Sequence, residues 1–232
     1  MKEAIITMSI GRDPNSQSCI ESMKRYAEKY DKDFFAIVNP KIHRYNLYFE
    51  KYQYLELFKD YDRVLYLDSD VLITPQARNI FELYPDPDKF YAFDESSPTE
   101  WMNRDKWIEQ MPVNFSWPMN RTGVRSYFNA GVQLIGKNCS GIINRLFIEP
   151  FSVNSFYIDP SDQTALNYLC FKYAPLRFRS LHYTFNRMDL GEYDTQNLRY
   201  KADFIHYAGP CKYGNGNKLE TISNDYKYLY EN

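Results

Sequence analysis

Asp68-Ser69-Asp70 sets two carboxylates directly after Arg63-Val-Leu-Tyr-Leu67, a run that is mostly apolar. A second apolar run, Val71 to Ile73, follows before Thr74-Pro75 breaks it. The first run reads as a buried strand. Burying an unpaired charge is costly, so acids in this place need a partner. In an extended stretch residues i and i+2 point the same way, which lets Asp68 and Asp70 face one divalent cation while Ser69 faces elsewhere. The alternative is a strand-end turn whose aspartates accept hydrogen bonds from backbone amides.

Other residues with chemical potential are spread along the chain. Lys51 lies four residues from both Leu47 and Leu55, on their face of an expected helix at 46–59. It either snorkels, its stem covering apolar surface, or aims a cation at an anionic ligand. Asn129 and Gly131 interrupt the apolar stretch Tyr127 to Gly136, where a glycine marks a bulge or close approach of a ligand. Asp162 and Gln163 open a helix behind Ser161, a fair N-cap; an acid in the first turn also suits the helix dipole. A late apolar stretch, Phe204 to Ala208, carries His206, with Gly209 and Lys212 behind it.

The elements that must position these residues alternate. Ala4 to Ile10 reads as a strand, followed by a helix capped at Asp13-Pro14 with a stripe of Ile20, Met23, Ala27 and Tyr30. Phe34 to Val38 is a strand. The 46–59 helix carries Leu47, Tyr48, Tyr52, Leu55 and Phe58 on one side, and the strand at 63–67 follows. Strand, helix, strand, helix, strand argues for a parallel sheet covered by helices. Ligands of such sheets bind beyond the carboxyl ends of the strands, where Ser9-Ile10-Gly11 and Asp68-Ser69-Asp70 lie. A short helix at 75–84 and strands at 90–93, 127–136 and 204–208 are expected, with helices at 139–149 and from 161. Residues 94–126 are irregular and hold Trp101, Trp107 and Trp117, either a packed excursion or a binding loop. Residues 213–218 read as loop, and the end as polar with interspersed tyrosines. No repeat or domain boundary is visible.

Composition narrows the field. The 232 residues are 44% hydrophobic and 25% charged, the mix of an ordinary globular chain. A net charge of -2 without a basic stripe argues against nucleic acid as a partner. The 22 tyrosines and 16 phenylalanines serve core packing first, with sugar or nucleotide contacts as the alternative. Cys19, Cys139, Cys170 and Cys211 lie far apart and fit buried thiols in a reducing compartment. The N-terminal apolar run is too short for a signal peptide, and no stretch has the ~20 apolar residues that span a bilayer. A cytoplasmic protein is expected, with peripheral membrane association open. Without an export signal, the sequons at Asn114, Asn120 and Asn138 carry no information.

Four stretches occur in one order: YLDSDVLI, YFNAGVQLIG, DPSDQTALNYL and FIHYAGPCK. Together they resemble the nucleotide-sugar glycosyltransferases of the family-8 type, the group of glycogenin and of bacterial lipopolysaccharide galactosyl- and glucosyltransferases. The resemblance runs from the first strand to about Lys212. It implies a GT-A, Rossmann-like α/β fold with a mixed, mostly parallel central sheet flanked by helices. It implies one domain over 1–232, with residues 1–95 as the nucleotide-binding half and 96–215 as the half for sugar and acceptor. By the same resemblance Asp68, Asp70 and His206 hold a divalent metal, Mn²⁺ or else Mg²⁺, a donor set of suitable chemistry. Lys51, Ser69, Gly209 and Lys212 contact the donor's diphosphate region, and Ser9, Gly11 and Arg12 its base and ribose. Asn129, Gly131, Asp162 and Gln163 surround the transferred sugar, with Asn129, Asp162 and Gln163 as the catalytic candidates. The implied reaction moves a hexose from UDP-glucose or UDP-galactose to a glycan, a lipid-linked saccharide or a protein hydroxyl, with retention of configuration. The family continues His-x-x-Gly-x-x-Lys with Pro-Trp; here Tyr213-Gly214 follows, which leaves the local geometry open.

Rival readings are an inverting GT-A enzyme and a non-catalytic sugar-nucleotide binder. A haloacid-dehalogenase-type phosphatase also uses Asp-x-Asp after a strand, but Leu72 stands where that motif needs Thr or Val. A two-metal nucleotidyltransferase would need a Gly-rich phosphate loop near the N-terminus, and none is present.

Overall fold

A computed structural model describes residues 1–11, 16–42, 47–96, 104–149, 161–188, 198–209 and 217–231. In chain order the strands are β1 (Glu3–Met8), β2 (Asp33–Ile37), β3 (Arg63–Leu67), β4 (Val71–Ile73), β5 (Phe90–Asp94), β6 (Phe128–Gly136), β7 (Phe178–Ser180) and β8 (Phe204–His206). The α-helices are α1 (Ser16–Lys29), α2 (Ile80–Leu83), α3 (Asp105–Ile108), α4 (Ser140–Asn144), α5 (Ser161–Tyr173) and α6 (Lys218–Tyr230). A long 3₁₀ segment spans Leu47–Lys59.

Six strands form one sheet in the order β2-β1-β3-β6-β5-β7. β1 runs parallel to both β2 and β3, β6 is antiparallel to β3 and β5, and β7 returns parallel to β5. The sheet is thus mixed and mostly parallel, with helices on both faces. Strand alternation divides its side chains between two cores. Ala4, Ile6, Val64, Tyr66 and Ile135 pack with Phe49, Tyr52, Leu166 and Leu169 of the 3₁₀ segment and α5. Ile5, Leu65, Leu67, Val132 and Leu134 pack with Cys19 and Met23 of α1 and with β4 and β8. A fully buried leucine such as Leu65 or Leu67 contributes ~1.5–3 kcal/mol by transfer from water. Cys19, Cys139 and Cys170 are buried thiols, as expected. Among the described residues no helix is long and apolar enough to cross a membrane.

Three expectations need correction. The 46–59 stretch is helical but wound as 3₁₀, whose repeat of three residues rotates the faces. Leu47 and Tyr48 therefore stand half exposed, while Glu50 and Lys51 are buried. Glu50 is satisfied there by the backbone amides of Lys41 and Ile42, 2.7 and 2.8 Å away. The expected helix at 75–84 shrinks to Ile80–Leu83, because Ala77 N–H closes a turn on the Thr74 carbonyl first. The polar C-terminal end is a 13-residue helix, α6, which buries Ile222 and Asp225. Asp13, Pro14, Trp101 and Cys211 lie outside the described residues, as does the side chain of Ser161.

Candidate active site

β3 and β1 leave the sheet on the same edge, with Thr7 opposite Leu67. Met8 and Asp68 therefore leave adjacent strands side by side, and Ser9 and Gly11 follow β1 at the same carboxyl edge of the sheet. Asp68-Ser69-Asp70 is not extended, as the sequence reading assumed. It forms a turn between β3 and β4, closed by Val71 N–H on the Asp68 carbonyl at 3.1 Å. Both acids still reach one place, because the turn is pinned on two sides. Asp68 N–H donates to the Gly131 carbonyl of β6 at 2.7 Å, and Tyr207 N–H donates to the Asp70 carbonyl at 3.0 Å.

His206 is brought in by a two-stranded antiparallel sheet in which Val71 pairs with His206 and Ile73 with Phe204. The result is a group of three possible ligands, Asp68, Asp70 and His206, with one donor atom from each all within 4.8 Å of one another. Bonds of about 2.0–2.3 Å would hold donor pairs about 3–4.5 Å apart around one ion, which fits this spacing.

The tautomer of His206 follows from a chain of hydrogen bonds anchored on a backbone amide. Gly131 N–H can only donate, and it donates to Asn129 Oδ1 at 2.9 Å. Asn129 Oδ1 is thereby an acceptor, so the Asn186 group 3.0 Å from it is the amide nitrogen. Asn186 must then turn its carbonyl oxygen to His206, 2.7 Å from Nδ1. Nδ1 carries the proton, and Nε2 of the neutral ring offers a lone pair. That lone pair faces Asp70 Oδ1 across 3.3 Å. Asp70 Oδ1 is itself buried with no hydrogen-bond donor. Two acceptors facing each other in a protein interior form an arrangement that a cation satisfies.

The opposite oxygen of Asp70 is engaged by Lys218 Nζ at 2.7 Å. Burial opposes the charged form of Asp70, and the Lys218 ammonium favours it. Asp68 receives the Tyr66 hydroxyl at 2.6 Å on Oδ1 and faces Lys51 Nζ at 3.5 Å. Neither acid accepts a backbone amide among the described hydrogen bonds.

Lys51 does not snorkel. Its side chain is only 5% exposed and lies 2.9 Å from Asp162 Oδ2, equally buried. Burial works against the ammonium, yet Asp162 and Asp68 outweigh it and raise its pKa. For Asp162 the balance is reversed: burial raises the carboxyl pKa more than Lys51 lowers it. Removing either partner would strand a buried charge, a loss of about 3–5 kcal/mol.

Gly131 sits under the ligands. A Cβ there would lie 2.2 Å from His206 Cε1, 2.8 Å from Nε2 and 2.9 Å from Asp68 Oδ2. Asn129 and Gln163 form the layer behind. Gln163 accepts Ala130 N–H at 2.8 Å, which turns its amide nitrogen onto Glu95 at 3.1 Å. Asn129 also reaches Glu95, at 3.4 Å, and Arg104 balances that buried carboxylate at 2.9 Å. Gly209, three residues past His206, has φ +68°, a backbone conformation suited to glycine. No contact joins Ser9, Gly11 or Ser69 to the cluster among the described interactions. Arg12 and Lys212 lie outside the described residues.

Sequence reasoning missed Lys218, Asn186, Glu95 and Tyr66. Tyr66 had a signal: it stands two residues before Asp68 on the same strand. Asn186 had none, since only the bridge of Arg187 to Ile205 places it beside His206.

The profile of glycosyl transferase family 8 matches residues 11–213. The chain belongs to that family. Solved structures share its fold. A glycosyltransferase involved in glycosylation of the major capsid of PBCV-1 superposes with TM-score 0.68 at 16% identity, over 97% of this chain and 100% of that one. The galactosyltransferase LgtC, solved with donor and acceptor sugar analogues, gives 0.59 at 18% identity, over 98% and 96% of the two chains. GlyE of Streptococcus pneumoniae TIGR4 gives 0.58 at 17%, over 97% of this chain and 60% of GlyE. A search of curated protein sequences returned no match. The family-8 protein is therefore a glycosyltransferase with the GT-A architecture, and its Asp68, Asp70 and His206 form a candidate metal site.

Proposed function

We propose that this family-8 enzyme transfers a hexose, glucose or galactose, from a UDP-sugar to a hydroxyl of a glycan, lipid-linked saccharide or protein, with retention of configuration. The observation that carries the metal-dependent reading is Asp70 Oδ1, buried and without a donor, facing the bare Nε2 of His206. Asp68, Asp70 and His206 would hold the divalent ion, Mn²⁺ or Mg²⁺. Bound there, it supplies Lewis-acid neutralisation of the charge that develops on the departing diphosphate.

The protein's own groups do the rest. Asn186 keeps the His206 proton on Nδ1, leaving Nε2 free to ligate. Lys51 fixes the carboxylates of Asp162 and Asp68. Ser9, Gly11 and Arg12 take the base and ribose; Ser69, Gly209 and Lys212 lie along the diphosphate. Asn129, Gly131, Asp162 and Gln163 line the sugar. The C1–O bond to diphosphate breaks through an oxocarbenium-like transition state and a C1–O bond to the acceptor forms. Attack comes from the face the diphosphate leaves, and the acceptor's proton departs with it. Residues 1–95 and 96–215 serve as donor and acceptor halves of one domain. The buried thiols of Cys19, Cys139 and Cys170 fit work in the cytoplasm, a reducing compartment.

The test is a panel of nucleotide sugars assayed for release of nucleotide diphosphate with and without Mn²⁺. Metal-dependent turnover of a UDP-hexose, lost in Asp70→Ala, is the expected result. Donor binding without hydrolysis or transfer would mean a binding module, and undiminished turnover in Asp70→Ala would remove the metal assignment.

A further inference from the structure

Helix α6 starts beside the metal ligands and is tied to both strands that carry them. Asn217 caps it by accepting Glu220 N–H. The carboxylate of Asp225, 2% exposed, accepts the Tyr207 hydroxyl at 2.6 Å, the Tyr200 hydroxyl at 2.8 Å and Arg199 Nε at 2.7 Å. Tyr207 directly follows His206. At the far end of the helix the Tyr230 hydroxyl donates to the Ile73 carbonyl, the last residue of β4, at 2.6 Å. Lys218, in the first turn, is therefore delivered by a fixed element. Its ammonium meets Asp70 Oδ2 at 2.7 Å with 28% of the side chain exposed. It lies six residues beyond Lys212 and outside the His206-x-x-Gly209-x-x-Lys212 motif.

Charge shows what this placement does. The described cluster holds three carboxylates, Asp68, Asp70 and Asp162, against the ammonium groups of Lys51 and Lys218. One negative charge is left over, too little for full compensation of a divalent ion. An ion held by Asp70 shares that carboxylate with an ammonium that repels it. A diphosphate is attracted by both cations and relieves the repulsion.

We propose that Lys218 is a counter-cation built against Asp70 that makes binding of the divalent ion and of the nucleotide diphosphate mutually dependent. It weakens the ion alone and strengthens the two together. By linkage, the ion tightens the diphosphate by the same factor as the diphosphate tightens the ion. The inference rests on the metal-dependent reading above and adds a coupling to it: the protein holds its metal firmly only with a donor or product diphosphate present.

The experiment titrates Mn²⁺ into wild-type protein and Lys218→Met, with and without saturating UDP, and follows bound ion by electron paramagnetic resonance. Lys218→Met is expected to bind Mn²⁺ alone about fivefold or more tightly than wild type, and UDP to tighten Mn²⁺ by a correspondingly smaller factor. Lys218→Arg, which keeps the charge, should behave as wild type. Lys218→Gln gives the same comparison should methionine disturb the start of α6. Equal or weaker Mn²⁺ affinity in the neutral variants overturns the inference while leaving the metal site standing. Failure of the wild type to bind Mn²⁺ in either condition overturns both.

Discussion

Gly131→Ala isolates the fit of the metal ligands, because a single methyl group is its only change. Gly131 has no left-handed φ, so alanine suits the backbone of β6. The added Cβ would lie 2.2 Å from His206 Cε1. Carbon atoms settle about 3.5–4.0 Å apart, so the imidazole must retreat by about 1.3 Å or more. The backbone cannot open to make room, since Asp68 N–H is bound to the Gly131 carbonyl at 2.7 Å. His206 has no slack either: its side chain is 3% exposed and Nδ1 is held on Asn186. Displacement of a reacting group by about 1 Å costs about 10²-fold in rate. Overpacking of this kind costs about 1–3 kcal/mol, which in a domain of this size lowers Tm by about 2–12 °C. The variant should thus remain folded at 25 °C, bind Mn²⁺ at least about tenfold more weakly and turn over UDP-hexose about 10²-fold more slowly. Calorimetric melting paired with Mn²⁺ titration reads both effects. A folded Gly131→Ala protein with wild-type Mn²⁺ affinity would refute the reasoning, because it would show that the ligands do not converge over Gly131.

Asn186→Ala removes the acceptor that fixes the His206 tautomer and should weaken Mn²⁺ by about 10–100-fold with little change in fold, read by the same titration. An unchanged Kd would mean that the hydrogen bond to Nδ1 is incidental. Asp203, which holds β4 to β8 near the site, gives a pH-dependent test. Burial pushes its pKa up, but the Arg78 side chain and backbone N–H prevail and hold it below the usual value. A carboxylate with a lowered folded pKa stabilises fully above its unfolded value of about 3.9, and that contribution is lost as pH falls through the folded pKa. Asp203→Asn should cost about 1–3 kcal/mol at pH 7, toward the low end because Arg78 is half in solvent, and the gap in Tm should close below about pH 4. A gap independent of pH would contradict this account.

The parts of the molecule that could be read from the sequence are those where a single local pattern decides. The alternation of the first seventy residues gave β1, α1, β2 and β3 because each carries a local apolar pattern, and Asp-x-Asp stood out because charge follows a buried strand. The 3₁₀ winding of Leu47–Lys59 was hidden, since Leu47, Tyr48, Tyr52, Leu55 and Phe58 already form one broad stripe at the α-helical period. β7 was hidden because Phe178-Arg179-Ser180 is an edge strand of three residues with little apolar pattern. α6 went unseen because its apolar stripe, Ile222, Tyr226 and Leu229, is short and only Ile222 is fully buried. Its place is set by long-range hydrogen bonds of Asp225 and Tyr230. Lys218 was invisible for the same reason: its role depends on where α6 docks, not on what surrounds it in sequence.

What closes the site is the two-stranded sheet of β4 and β8. Asp70 and His206 stand 136 positions apart in the sequence, and three pairs of residues in β4 and β8 set their relation. A register slip of one residue would turn every side chain of β8 to the opposite face and carry the imidazole away from Asp70. Several independent ties oppose that slip. Thr74 N–H binds the Asp203 carbonyl at 3.0 Å at one end, and Tyr207 N–H binds the Asp70 carbonyl at 3.0 Å at the other. His206 N–H on the Arg187 carbonyl, at 2.9 Å, fixes the outer edge of β8 and sets Asn186 beside the ring. Ligand geometry thus depends on backbone hydrogen bonds that hold short, fully buried strands and the turn that carries Asp68 and Asp70. A metal site held this way keeps its donor atoms converged without help from the bound ion, which is why the unpaired oxygen of Asp70 and the lone pair of His206 can be held facing each other at all.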